Sequence, residues 1–302
     1  MLQPLKLIQP GEVNPVGDAD PFDFSPFSWK FLAEGDSWFS IGGITTNLLM
    51  PAMLSTSAVA VNCALPGQKL VHMVDARRSP AFAGFLAGNV AEHWDAILLS
   101  GGGNDVIDFL QTPLNQGGRR VDMGLRPLLA PDERDPAANS PAQFVSEGGW
   151  AIFAAYLVGQ YHEVVGMRDS AASKSQGVPI IVHTYDLITP RPAPAVLAGI
   201  RVAGPWIAPA FQRYGIPPGL WNDLSDLFLR RVRDLIMGLQ LPNVFAVDTQ
   251  GTLARADPGT SGPSRDWVNE IHPMPHGYDK LAPKYAAGIE GAMASTNAQT
   301  GA

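Results

Sequence analysis

Five short apolar runs, separated by segments of helical periodicity, constrain this 302-residue chain more than any other feature. They are Lys30–Ala33, Ala58–Leu65, Ala96–Ser100, Pro179–Tyr185 and Asn243–Val247, each bounded by turn-forming residues. They carry branched side chains without strict polar–apolar alternation, which suits strands covered on both faces. Such strands need helices against them, and the intervening sequence supplies candidates. Gly149–Met167 repeats Ile152, Ala155, Tyr156, Val158, Val164 and Val165 at helical spacing. Leu220–Leu239 does the same with Leu224, Leu227, Phe228, Val232, Leu235 and Ile236, with Arg230, Arg231 and Asp234 on the other face. Thr45 or Thr46 is placed to cap a helix running through Leu54, and Asp279–Met293 predicts the last helix. This alternation predicts an α/β, doubly wound, three-layer sandwich with a central, mostly parallel five-stranded sheet. Ligands of such sheets lie beyond the carboxyl ends of the strands, so chemistry is expected just after the apolar runs.

The flanks and two interruptions complete the organisation. Residues 1–28 are rich in Pro, Asp and Phe and lack periodicity, which reads as an extended arm pinned by its aromatics. Residues 29–293 read as a single domain, and the small, polar residues 294–302 as a flexible tail. Residues 112–147 are rich in Pro, Gly and Arg, and 189–218 are Pro-rich with apolar Val196, Ile200, Trp206, Ile207 and Phe211. Loops this long are uncommon without a function, and both leave the carboxyl end of a strand, so they are expected to act as lid-like insertions.

Composition excludes several classes. Hydrophobic residues make up 46% and charged residues 16%, enough for a large core and incompatible with wholesale disorder. Lys and Arg total 21 against 28 Asp and Glu, a net charge of −7. Nucleic-acid binding needs clustered cations, and the isolated Arg77-Arg78, Arg119-Arg120 and Arg230-Arg231 pairs make no track. The one cysteine, Cys63, lies in an apolar run and reads as a small core residue. No stretch approaches about 18 consecutive apolar residues, so no membrane span is expected. The first residues lack a secretory signal, which suggests a cytoplasmic, reducing compartment unless a leader was removed earlier.

Three motifs follow the first three runs, where the chemistry is expected, and a fourth lies near the carboxyl end. Glu34-Gly35-Asp36-Ser37-Trp38 follows the first run and stands a serine hydroxyl at the edge of the sheet. Leu65-Pro66-Gly67-Gln68 follows the second; a glycine there lets a backbone N–H approach a ligand. Ser100-Gly101-Gly102-Gly103-Asn104-Asp105 follows the third and aims an Asn amide inward, while lacking the spacing of a nucleotide-binding loop. Asp266-Trp267-Val268-Asn269-Glu270-Ile271-His272-Pro273 puts a histidine on a Pro-flanked loop near the carboxyl end. The prolines at 273 and 275 forbid a helix that would pair His272 with His276 as metal ligands. His183 reads as a core or supporting histidine, and Asp36 and Asp105 as braces of turns.

In this order the four motifs resemble those of the SGNH (GDSL-type) serine hydrolases, from about Lys30 to Ala286. The resemblance implies Ser37 as nucleophile and His272 as general base. It also implies an oxyanion hole built from the backbone N–H groups of Ser37 and Gly67 and the side-chain amide of Asn104. No metal or organic cofactor is implied. The expected substrate is a small-molecule or saccharide ester, of a short or medium acyl chain or an O-acetyl group. An acyltransferase and an inactive binding module are the alternatives, and the oligomeric state is open. Trp38, Trp206 and Phe211 are candidates to line the substrate.

The motif departs from the family at two places. Trp38 stands where leucine is common. Asn269 stands three residues before His272, where the family usually carries the aspartate that orients the histidine. Asn269 can offer its carbonyl oxygen to the imidazole but brings no charge. Asp266, six residues before His272, is an equal alternative, with Glu270 a third and a Ser–His dyad oriented by a backbone carbonyl behind them.

Overall fold

The computed structural model describes residues 1–13, 20–40, 46–135 and 140–300. Each of the five apolar runs contains a strand. β1 (Lys6–Ile8), β2 (Trp29–Gly35), β3 (Ala58–Asn62), β4 (Ala96–Ser100), β5 (Ile180–His183) and β6 (Val244–Val247) form one sheet in the order β6-β5-β4-β2-β3-β1. Every neighbouring pair is parallel. All residues of β3, β4 and β5 are buried, as the unbroken apolar pattern requires of strands covered on both faces. Helices α1 (Pro80–Ala87), α2 (Gly103–Leu110), α3 (Glu147–Arg168), α4 (Ile207–Arg213), α5 (Trp221–Met237) and α6 (Pro275–Thr300) flank the sheet. Among the described residues, no helix is long and apolar enough to cross a membrane.

Three sequence expectations need correction. The sheet has six strands, because Lys6–Ile8 of the amino-terminal arm pairs with Val59–Val61 at the edge of β3. A three-residue strand is too short for a periodic signal, and its partner alone makes it one. The helix expected through Leu54 does not form; Thr45 lies outside the described residues. There the Asn47 side chain accepts the N–H groups of Leu49 and Met50, and Met53–Leu54 pairs with Gln3–Pro4 instead. Asn competes for backbone donors in this way, and so favours turns over helix interiors. Finally, α6 runs on to Thr300 through the stretch read as a flexible tail.

The arm's aromatics cluster, with the Phe22 and Phe24 rings 5.2 Å apart and Phe24 edge-on to Trp94 at 6.0 Å. Of the two interruptions, 112–147 holds a tight hairpin (Asn115–Gln116 with Arg119–Arg120) and three short 3-10 turns; residues 136–139 lie outside the described residues. The other, 189–218, holds an antiparallel hairpin (Ala195–Leu197 with Ile200–Ala203) followed by α4.

The sheet's winding reverses between β2 and β4, from which the strands spread outward in both directions. A crevice opens at the carboxyl ends of the strands at such a switch point. Gly35, the last residue of β2, makes the approach possible: a Cβ there would lie 2.7 Å from Ser100 Cβ and 2.9 Å from Ser100 O on β4.

One buried acid on β2 sets a stability expectation. The Glu34 carboxyl accepts the Gly35 N–H at 2.9 Å and the Ser79 hydroxyl at 2.5 Å, and burial pushes its pKa up to about 8. A folded-state pKa above the unfolded value contributes stability fully present below about pH 4.5 and lost as pH rises through about 8. Thermal unfolding at pH 5 and pH 8.5 is therefore expected to show a fall in Tm that Glu34→Gln reduces by several degrees. Equal pH slopes in the two proteins would contradict this assignment.

Candidate active site

Ser37 lies two residues beyond β2, half-buried, on a turn held by its predecessor. Asp36 Oδ1 accepts the Trp38 N–H at 2.9 Å and the Ser100 hydroxyl at 2.9 Å, while Oδ2 accepts Tyr185 OH at 2.6 Å. Ser100 Oγ also meets His183 Nε2 at 2.9 Å, so Asp36, Ser100 and His183 form a buried chain beneath the serine. Burial raises the Asp36 pKa to about 6 and lowers that of His183 to about 4. His183 also stacks on Trp38 at 5.6 Å, which places it under the turn as a packing and hydrogen-bonding support.

His272 comes from the other end of the chain. Its Nε2 lies 2.8 Å from Ser37 Oγ, and its Nδ1 lies 3.0 Å from Asn269 Oδ1. Asn269 Oδ1 also accepts the backbone N–H groups of Ile271 (3.0 Å) and His272 (2.9 Å), which identifies that atom as the oxygen. An oxygen facing Nδ1 places the ring proton there and leaves the Nε2 lone pair for the serine O–H. Burial holds the His272 pKa down to about 4, so the imidazole is neutral at neutral pH. Trp38 Nε1–H donates to Ile271 O at 3.3 Å, tying the histidine loop to the serine turn.

Of the alternatives to Asn269, neither reaches the imidazole. The Asp266 carboxylate is occupied by Lys280 Nζ at 2.7 Å, the Ala254 N–H at 2.6 Å and His276 Nε2 at 3.1 Å, which corrects the reading of Asp266 as the orienting group. Six residues of separation allowed a fold-back; the Trp267 backbone, bridged to both Ser264 and Pro273, turns the carboxylate towards α6 instead. Glu270, fully buried, accepts the N–H groups of Trp206, Ile207 (2.9 Å), Ala208 (2.8 Å) and Arg191 (3.1 Å). It pins the start of α4 to the histidine loop. This sets Trp206 edge-on to the His272 ring at 5.7 Å.

Gly67 and Asn104 border the same cleft as Ser37 and His272. A Cβ on Gly67 would meet open space, so crowding is not what requires glycine there; its φ of +76° is. Asn104, in the first turn of α2, spends one amide N–H on Gln68 O at 3.0 Å, which ties its side chain to the loop carrying Gly67. One amide proton is left. The cleft has a volume of about 630 Å³, and the 195–203 hairpin walls it with Val196, Leu197 and Val202 beside Trp206. Trp38 borders a second, smaller hollow, whereas Phe211 is fully buried in the core and lines neither, a correction to its expected place beside the substrate. α4 turns that ring inward. Among the described residues, no three His, Cys, Asp or Glu side chains converge as metal ligands would.

Sequence reasoning missed the Asp36–Ser100–His183 chain, the Glu270 staple and the hairpin wall. A signal existed for the first only as polar residues ending apolar strands: Ser100 on β4 and His183 on β5.

No family model matches the chain. No curated protein matches it either. Among solved structures, it is similar to a lipase from a goat rumen metagenome, at 14% identity and TM-score 0.47 over 86% of this chain and 97% of that one. It is also similar to the native aryl esterase of M. smegmatis (14%, TM-score 0.43, 88% of this chain and 100% of that one). A third is a catalytic mutant of an acetylxylan esterase from Geobacillus stearothermophilus (15%, TM-score 0.40, 87% and 94%). With its motifs in order on a doubly wound sheet, and with Ser37, Gly67, Asn104 and His272 gathered around one cleft, the chain resembles the SGNH hydrolases.

Proposed function

We propose that this protein is a serine ester hydrolase that works through an acyl-enzyme. The observation that carries the reading is the aligned set Ser37 Oγ, His272 Nε2 at 2.8 Å, and Asn269 Oδ1 on the far ring nitrogen at 3.0 Å. His272 takes the Ser37 proton as Oγ attacks the ester carbonyl. The backbone N–H groups of Ser37 and Gly67 and the remaining amide proton of Asn104 receive the developing oxyanion. The imidazolium then gives its proton to the departing alcohol, and a water activated by the same nitrogen releases the acid. Asn269 holds the ring in the required tautomer with a neutral acceptor. The presence of that acceptor favours turnover over inert binding.

Labelling of Ser37 by a fluorophosphonate, together with hydrolysis of p-nitrophenyl acetate by the parent protein, tests the proposal. An unlabelled Ser37 in folded protein and no turnover of any ester would refute it. Product partitioning to an ester when alcohols are added would assign an acyltransferase instead.

Asn104→Ala removes one oxyanion donor and the tie to Gln68. It is expected to lower kcat by about 10²–10³-fold with a smaller change in KM. A loss confined to KM would place Asn104 in substrate binding alone.

A further inference from the structure

Two hollows of very different size open on Ser37. The larger, about 630 Å³, borders His272, Gly67 and the 195–203 hairpin. The smaller, about 30 Å³, is lined by Trp38, Val106, Ile107, Tyr185, Ile188 and Leu229, and His272 does not border it. Ser37, Asn104 and Ile271 line both. An ester carbonyl held by Ser37 and Asn104 therefore has one hollow on each side.

Proton transfer decides which half of the ester goes where. The leaving oxygen must take its proton from His272 Nε2, so the alcohol half must depart through the hollow that borders that nitrogen. The acyl substituent is left with the other hollow. An apolar cavity of about 150 Å³ admits a benzene ring, roughly five times the volume of this hollow. A methyl group fits such a space; a propyl chain meets Ile107, Ile188 and Leu229, which are 5–8% exposed and packed into the core. Overfilling a packed core forces neighbours off their rotamers. On the alcohol side the space is ample, and its hairpin wall presents Val196, Leu197 and Val202 with more than half of each side chain exposed.

We propose that the small hollow is an acyl pocket sized for acetyl, so that the substrates are acetate esters of bulky alcohols with an apolar face. This rests on the ester-hydrolase reading above.

The test is kcat/KM for p-nitrophenyl acetate, butyrate and octanoate, and for 1-naphthyl acetate against an acetylated sugar, with Ser37 labelling run in parallel. Butyrate is expected to fall at least 100-fold below acetate, and octanoate further. Leu229→Ala, and separately Ile107→Ala, are expected to raise the butyrate-to-acetate ratio at least tenfold. Naphthyl acetate is expected to exceed the sugar acetate, with Leu197→Ser/Val202→Ser on the exposed hairpin raising KM for naphthyl acetate several-fold. A labelled Ser37 with butyrate or octanoate turned over as well as acetate overturns the acyl pocket while leaving the hydrolase intact. A sugar acetate preferred over naphthyl acetate overturns the alcohol assignment. No labelling and no turnover on any ester overturns the reading beneath both.

Discussion

Ser37→Ala is expected to lower kcat/KM on p-nitrophenyl acetate by about 10⁴–10⁶-fold, His272→Ala by a similar factor, and the double variant by no more than either alone. The reason is cooperation across 2.8 Å between the hydroxyl and Nε2. Without the imidazole the hydroxyl keeps its proton and is a poor nucleophile; without the hydroxyl the imidazole has no proton to take. Removing the second member of a pair that works as a unit therefore costs little more. Both side chains sit at the cleft, so the variants should fold, which circular dichroism and unchanged Tm within a few degrees would verify. Multiplicative losses in the double variant would mean that the two groups act on separate steps.

The second large effect concerns Asn269. Asn269→Ala is expected to cut kcat by about 10²–10⁴-fold, the range a positioned acid–base group contributes, because the ring loses the acceptor that sets its tautomer. Asn269→Asp is more informative. Burial holds the His272 pKa down to about 4, and the neutral amide brings no charge to offset it. A carboxylate at about 3 Å favours the charged ring and is expected to raise that pKa. Imidazolium cannot accept the serine proton, so activity appears as pH rises through the pKa. The acid limb of kcat/KM should thus sit near pH 4 in the parent and move to higher pH in the Asp variant. Superimposable limbs in the two proteins would show that position 269 does not contact the base during catalysis.

Much of the molecule is legible in the chain itself, for identifiable reasons. Strands β2 to β5 announce themselves because burial on both faces leaves no polar residue in most of their length. α3 and α5 were expected within a few residues of their observed ends, because a long amphipathic period outweighs local exceptions. Pieces of two or three residues escape this logic. Lys6–Ile8 and Gln3–Pro4 become strands only because Val59–Val61 and Met53–Leu54 are already in place to pair with them.

The candidate site divides in the same way. Ser37, Gly67, Asn104 and His272 could be named because their motifs, in order along the chain, resemble those of a known family. The choice between Asn269 and Asp266 could not, because both lie within one loop turn of the imidazole along the chain. Lys280, fourteen residues beyond Asp266 on α6, claims that carboxylate and leaves Asn269 to the ring.

Residue types and their spacing, by themselves, determined the layered α/β architecture and the polar groups placed at the strand ends, because hydrophobic period and turn chemistry act over a few neighbours at a time. Tertiary structure alone decided which oxygen faces Nδ1, which polar strand ends join beneath Ser37, and how the space around the nucleophile is divided. Those outcomes depend on contacts that a short sequence window does not reveal, from Asp266 and Lys280 fourteen residues apart to Ser37 and His272 two hundred and thirty-five apart, and only the folded chain sets them.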